Sequence, residues 1–345
     1  MREADSAVTS GQENGAPKAT RAEALRAADG PEHAQSRRKT AVAYAMIYMF
    51  WGSTFLAVRY AVETTPPLLL VAMRQILAGL ALYPLARLHS KEKTTPRQWL
   101  DGAIIGVLLI AGGNASISWA EARRTPSNVA AVLVATVPLW MAIFDWLRPK
   151  GPRPTFRIAV GLAIGLAGVG LLVSPRDPLL HTAGSAVNPI CALVLFGGSL
   201  AWAAGSVFSR HLEMPKSPLL GAAIITLTGG VVLCIAALAL GEGSQLHVQS
   251  ISLVSWLSLG YLVVFGSIIG YSAYAHLLVS EPPARVATYA YVNPVVAVIL
   301  GWAIAGEKLT SRMAVAAAVI LVAVVLVITA PHPPEEGSGQ PVVPD

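Results

Sequence analysis

The stretch AVAYAMIYMFWGSTFLAVRYAV, residues 41–62, decides how the rest of the chain is read. Its one Lys, Arg, Asp or Glu is Arg59, close to the far end. A helix of about 20 apolar residues rises about 30 Å, the thickness of a bilayer's hydrocarbon, so this stretch is long enough to cross one. Nine further apolar segments come after it, at 66–87, 98–120, 127–147, 155–174, 188–210, 217–240, 251–278, 284–305 and 310–330. The 345 residues are 54% hydrophobic and 13% charged, with a mean hydropathy of +0.59, and the apolar residues fall in blocks. A soluble globular protein does not have this composition; the expected fold is an all-α integral membrane protein with ten transmembrane helices.

Breaks between segments carry turn or charge signals, as in Glu63-Thr64-Thr65-Pro66-Pro67, Lys150-Gly151-Pro152-Arg153-Pro154 and Glu281-Pro282-Pro283. Residues 1–40, rich in Ala, Arg and Glu, contain no apolar core of a cleavable signal and read as a disordered tail. Residues 331–345, with Pro, Gly and Glu, read as a second one. Orientation is set by Lys and Arg, which resist translocation. With the N-terminus cytoplasmic, the inner connections hold Arg87, Lys91, Lys93, Arg97, Arg148, Lys150, Arg153, Arg157, Arg210, Lys216 and Arg285. The outer ones then hold Arg123, Arg124, Arg176, Lys308 and Arg312. Arg37, Arg38 and Lys39 at the first segment agree, so both tails are expected in the cytoplasm and the protein in the cell (plasma or inner) membrane.

The chain also resembles itself. A shift of 151 residues lays Trp51 on Trp202, Arg59 on Arg210, Pro67 on Pro218, Leu68 on Leu219, Leu69 on Leu220 and Gly79 on Gly230. A shift of 156 lays Pro126 on Pro282, Ala131 on Ala287, Pro138 on Pro294 and Trp146 on Trp302. Five spans per copy is an odd number, so the second copy enters the membrane from the opposite side. The expectation is a 5+5 inverted-topology repeat, 41–174 and 188–330, with cargo bound near the midplane between the halves.

Several runs carry a family resemblance. They are Trp51-Gly52-Ser53-Thr54-Phe55 followed by Arg59, Pro66-Pro67 and Arg74; Pro126-Ser127 through Ala135-Thr136-Val137-Pro138-Leu139; Tyr289-Ala290-Tyr291-Val292-Asn293-Pro294-Val295-Val296-Ala297; and Gly306-Glu307-Lys308-Leu309-Thr310. In order and spacing over about residues 41–330 they resemble EamA-type members of the drug/metabolite transporter superfamily. The resemblance implies a ten-helix inverted-repeat carrier whose central cavity is lined by helices one, three and four and by six, eight and nine. Members move amino acids, other metabolites and drugs in either direction, so the family does not fix the cargo. The first half departs from the second in lacking a partner for Gly306-Glu307.

Ionisable and polar groups within the spans are the candidate site, because a bilayer tolerates them only when they are paired or face protein or water. Arg74 lies about 10 Å inside helix two; it is either a cavity cation for an anionic cargo or a buried arginine on helix-end carbonyls. Trp51, Ser53 and Thr54 in helix one, Trp202 in helix six and Asn114 in helix three are candidate cargo contacts, or else ordinary packing. Tyr289, Tyr291 and Asn293 flank Pro294 and are candidates of the same kind. Pro138 and Pro294 are read as mid-helix kinks facing the bundle and, with Glu121 and His276, as gating or proton-coupling candidates. The plainer reading of Glu121 is a solvated interfacial acid, and that of His276 an interfacial histidine. Arg59 and Arg210 read as topology anchors, and the glycines Gly161 and Gly165 as a close-packing pair.

Other functions fit less well. Cys191 and Cys234 have no His or Cys partner at metal-ligand spacing and read as small core residues. The formal charge of +6 collects beside membrane segments, which argues topology rather than nucleic acid. A polytopic membrane enzyme needs convergent catalytic groups, and the sequence holds no His-Glu-x-x-His and no Gly-x-Ser-x-Gly. No channel filter motif, receptor domain or Gly-x-x-x-x-Gly-Lys phosphate loop is present either, which leaves a secondary carrier without cofactor or metal. The expectation is export of small amphiphilic metabolites such as amino acids, with proton coupling as one mode; import, facilitation and multidrug efflux are the alternatives.

Overall fold

The computed structural model describes residues 31–125, 130, 133–148, 151, 153–173, 188–305 and 311–330, which form helices and turns without a strand. Two compact units are distinguished, Met1–Ala41 and Val42–Asp345. The described residues of the first are helical, and the second holds the bundle and the site. The longer helices are α1 (Pro31–Ala61), α2 (Pro67–His89), α3 (Pro96–Ala122), α4 (Val137–Leu147), α5 (Phe156–Val173), α6 (Pro189–Phe208), α7 (Pro218–Ala239), α8 (Leu253–Ser280), α9 (Tyr289–Ala305) and α10 (Ser311–Ile328). Among the described residues, six of these, α1, α2, α3, α6, α7 and α8, are long and apolar enough to cross a membrane. Shorter apolar helices occupy the ranges of the remaining expected spans.

Two of those ranges are interrupted for a local reason. Residues 133–134 are helical, Ala135 and Thr136 turn, and α4 starts afresh at Val137 with Thr136 as its N-cap. Pro138 therefore sits in the first turn, where its missing N–H removes no helical bond, and the expected mid-helix kink at this residue is corrected to a helix start. Ahead of α9 the chain turns at Ala287 and Thr288, and Pro294 lies inside the helix as expected. Prolines also open α2, α3, α6 and α7, where a fixed φ favours the helix and no partner is lost.

α2 and α7 make a backbone-close pair. A Cβ built on Gly79 lies 2.8 Å from the Cα and N of Leu227, and one on Gly230 lies 2.9 Å from the N of Ile76. The two contacts are the same contact displaced by 151 residues, a shift that carries Gly79 to Gly230 and Ile76 to Leu227. The ends of the pair are tied by carboxylates. Glu242, beyond the end of α7, accepts from Leu68 N at 3.0 Å and Leu69 N at 2.9 Å in the first turn of α2. Glu92, beyond the end of α2, accepts from Lys216 N at 3.0 Å and Ser217 N at 3.3 Å at the start of α7. Each acid thus satisfies donors that a helix start leaves open, on the side where the helix dipole favours negative charge. Glu242 is buried at 7% exposure, so Glu242→Ala is expected to lower stability in detergent by about 1–3 kcal/mol. An unchanged unfolding midpoint would show that the cap carries no weight.

α3 and α8 share an irregularity. Each widens into a π-helical stretch, Val107–Asn114 in α3 and Leu262–Ile269 in α8, again at corresponding places, 155 residues apart. Such stretches are rare and gather at functional positions. Elsewhere α5 packs on α10, with a Gly161 Cβ falling 2.7 Å from Val327, and Gly165 faces the ring of Tyr291, so the glycines serve packing. Cys191 is buried in an apolar cluster with Leu195 and Phe55, and Cys234 is half-buried; both are free thiols.

Candidate functional site

The site begins with Trp51, about two-thirds of the way along α1. α8 passes it through Gly270, where a Cβ would fall on the indole ring, 2.9 Å from Cδ1. Only a glycine allows this approach, and it lets Trp51 Nε1 donate to Gly266 O in the π-helical stretch at 3.0 Å. Around Trp51 lie Trp202 of α6, Tyr271 and Tyr274 of α8 and Tyr289 of α9, with centroids 5.5, 5.8, 5.0 and 4.8 Å from its own. Trp202–Tyr274 at 5.7 Å and Tyr274–Tyr289 at 5.8 Å close the cluster. Several contacts are edge-on, the arrangement the ring quadrupoles favour by about 0.5–1.5 kcal/mol per pair.

Polar atoms thread this cluster. Tyr274 accepts from Trp202 Nε1 at 3.2 Å and shares a 2.5 Å hydrogen bond with Ser206 Oγ. The Tyr271 hydroxyl accepts from Asn114 Nδ2 of α3 and from Gln75 Nε2 of α2, the latter at 3.4 Å. One turn earlier on α8, Ser267 Oγ accepts from Arg74 Nε at 2.7 Å. Gly266 gives the guanidinium its room, since a Cβ there would lie 2.8 Å from Arg74 Nη2 and 2.9 Å from the methyl of Thr54.

Arg74 sets the electrostatics. It is 3% exposed, and the ion pairs among the described residues are Arg97–Asp101, Arg148–Asp145 and Arg285–Glu281. Its Nη1 and Nη2 have no hydrogen-bond partner among the described residues. A buried cation without a counter-charge is costly, and a carboxylate set on the two Nη groups offsets that cost with two charge-assisted hydrogen bonds. The group that holds Arg74 is a serine hydroxyl from α8, and helix-end carbonyls are not among its partners in the described residues.

Of the residues singled out in the sequence, Trp51, Trp202, Tyr289, Asn114 and Arg74 thus converge. Thr54 is adjacent, its hydroxyl spent on Trp51 O at 2.7 Å. Ser53 bonds Phe50 O and the hydroxyl of Tyr261, outside the ring cluster. Tyr291 donates to Leu162 O of α5 at 3.2 Å, away from the rings. It lies two residues beyond Tyr289, which on a helix turns a side chain to the opposite face. Asn293, four residues after Tyr289, is buried, and its Oδ1 has no hydrogen-bond partner among the described residues.

Glu121 is buried at 7% exposure, so its reading as a solvated interfacial acid is corrected. His276 is half-buried, and Arg59 and Arg210 are exposed. Pro126, Ser127 and the run Gly306 to Thr310 lie outside the described residues. Sequence reading passes over Gln75, Ser267, Tyr271 and Tyr274 as site residues. A signal for the last three is present: polar side chains at 267, 271 and 274 recur at helical spacing within an apolar span.

The sequence pattern of the EamA-like transporter family matches residues 39–174 and again residues 189–329. The chain is 41% identical over 281 residues to the Escherichia coli K12 protein named "Uncharacterized inner membrane transporter YedA", covering 81% of this chain and 88% of that one. It is 25% identical over 292 residues to the Salmonella typhimurium LT2 protein named "Probable amino-acid metabolite efflux pump", covering 83% and 93%. A crystal structure of 18% identity superimposes with a TM-score of 0.66 over 85% of this chain and 97% of that one, a likeness of fold alone.

Proposed function

This chain belongs to the EamA-like transporter family of the drug/metabolite transporter superfamily, and from that premise we propose that it is a secondary carrier exporting small amphiphilic carboxylates, amino acids among them, by alternating access. The observation that carries the cargo class is the buried Arg74 guanidinium, held by Ser267 at one nitrogen and presenting the other two beside a cluster of five aromatic rings. A carboxylate answers the guanidinium, and an apolar or aromatic body answers the rings of Trp51, Trp202 and Tyr289. Because the rings touch one another, cargo binding exchanges ring–ring for ring–cargo contacts. Asn114 acts through Tyr271, and Glu121 and His276 are the groups proposed to couple movement to protons. Pro294 and the helix start at Pro138 are proposed to allow the gating movement. The amino-acid reading draws further support from the name of the Salmonella relative.

The architecture proposed is ten spans in two inverted halves, 41–174 and 188–330, between polar cytoplasmic tails. Its supports are the double family match, the paired Gly79–Leu227 and Gly230–Ile76 contacts and the matched π-helical stretches. The excess of Lys and Arg in the proposed inner connections supports cytoplasmic termini. Cysteines placed at positions 35 and 335 are therefore expected to react with an impermeant maleimide only after cells are opened; reaction of either in intact cells would overturn this topology.

Transport itself is tested with the purified full chain in vesicles. Radiolabelled amino acids and cationic drugs are presented with and without a pH gradient, and saturable counterflow of at least one amino acid is expected. Movement of the cationic drugs alone would remove the carboxylate reading in favour of multidrug efflux.

A further inference from the structure

Next to Arg74 on α2, Gln75 is completely buried, at 0% exposure. Its Nε2 donates to the Tyr271 hydroxyl, and its Oε1 has no hydrogen-bond partner among the described residues. A buried carbonyl oxygen left unpaired is destabilising, and a structure rarely keeps one without a reason. Two neighbouring side chains of α2 therefore hold opposite unspent capacity, donors on Arg74 and an acceptor on Gln75. Both address one face of α8, since Arg74 bonds Ser267 and Gln75 bonds Tyr271. Those two α8 residues are one helical turn, about 5 Å, apart. Tyr271 is itself fixed from the other side by Asn114, and the Cβ of Gln75 packs near Gly230 of α7, so the amide has little freedom to turn away.

The geometry points to Gln75 as a specificity-determining residue: its Oε1 receives an N–H or O–H borne by the cargo within about one helical turn of the carboxylate that Arg74 binds. The class selected is α-amino and α-hydroxy acids, against unsubstituted acids of the same skeleton. This rests on the proposed carboxylate reading of Arg74. A site built to hydrogen-bond a substituent discriminates against the analogue lacking it, because the protein atom is then left unpaired in the complex.

The test uses the full-length protein in vesicles and three sets of probes: alanine, lactate and propionate; leucine, 2-hydroxy-4-methylpentanoate and 4-methylpentanoate; phenylalanine, 3-phenyllactate and 3-phenylpropionate. In the set carried fastest, wild type is expected to prefer the amino and hydroxy acids over the plain acid by about tenfold or more. Gln75→Leu is expected to collapse that ratio to within about twofold. Gln75→Glu keeps an acceptor and is expected to raise the ratio of amino acid to hydroxy acid while slowing carboxylate transport as a whole, because its carboxylate competes with the cargo for Arg74. Ratios unchanged in both variants would overturn the assignment while leaving the carrier intact. So would a wild-type preference for the plain acid in the set carried fastest. If wild type moves none of the nine probes, the carboxylate reading fails, and the role of Gln75 falls with it.

Discussion

Arg74→Met is expected to lower carboxylate transport by roughly a thousandfold and, at the same time, to raise the unfolding temperature of the cargo-free protein. Two charge-assisted hydrogen bonds from Nη1 and Nη2 to a carboxylate contribute about 1.5–3 kcal/mol each, which sets the loss between about a hundredfold and about twenty-thousandfold. The stability sign comes from the empty state. There the guanidinium is buried at 3% exposure and has Ser267 Oγ as its hydrogen-bond partner among the described residues. Replacing a buried charge that has no counter-ion among the described residues by an apolar side chain of similar length is worth about 1–4 kcal/mol to the folded state, less about 1 kcal/mol for the bond withdrawn from Ser267. A structural arginine behaves oppositely: its loss lowers the unfolding temperature and takes transport down through the amount of folded protein. The two outcomes separate in one thermal melt of the purified variant in detergent, read beside uptake per mole of folded carrier. Arg74→Lys supplies the charge without the two-pronged donor and is expected to fall between wild type and Met in transport. Transport by Arg74→Met at wild-type rate would remove Arg74 from the site, whatever the melt shows.

The parts of the fold legible in the sequence are those that bilayer physics imposes on a single segment. Runs such as 217–240 must be helical because an unpaired backbone is not tolerated in hydrocarbon, and α7 is found at Pro218–Ala239. Arg74, Trp51 and Trp202 stand out for the same reason, as costly or bulky groups in the interior of a span. What stays hidden depends on which faces meet. Gln75 looks unremarkable beside an arginine until α2 is set against α8, and Tyr271 and Tyr274 matter because they share a face with Ser267. The buried position of Glu121 depends on its neighbours and not on its distance from a segment end. Pro138 misleads because proline breaks a helix only from the inside, and the turn at Ala135–Thr136 places it at a beginning. The reciprocal caps of Glu92 and Glu242 join residues 125 and 174 positions apart, a pairing no local pattern announces.

Gly79→Val and Gly230→Val are each expected to destabilise the protein by about 3 kcal/mol or more, and by similar amounts. The reason is what the added carbon meets. At Gly79 it falls 2.8 Å from the Cα and N of Leu227, and at Gly230 it falls 2.9 Å from the N of Ile76. Backbone atoms cannot turn aside as a side chain does, so α2 and α7 must move apart and lose contact along their length. Gly170 and Gly197 supply the contrast, because a Cβ at either meets nothing within 4 Å. Alanine at those positions is expected to be neutral or mildly stabilising, by up to about 1 kcal/mol, since glycine is the poorer helix former. The double variant carries the sharper information. Once one valine has opened the interface, the second finds space already made, so the combined cost is expected to fall short of the sum. Unequal single costs, or costs that simply add, would mean that the two contacts are not halves of one symmetric interface, and the inverted-repeat proposal would lose its main structural support. Gly230→Val should have one further effect. Its new side chain crowds Gln75, whose Cβ lies 3.1 Å from the position of the added Cβ, so the residual protein should discriminate less between amino acids and plain acids. Gly79→Val, whose added carbon meets Leu227 instead, should keep that discrimination in whatever fraction still folds.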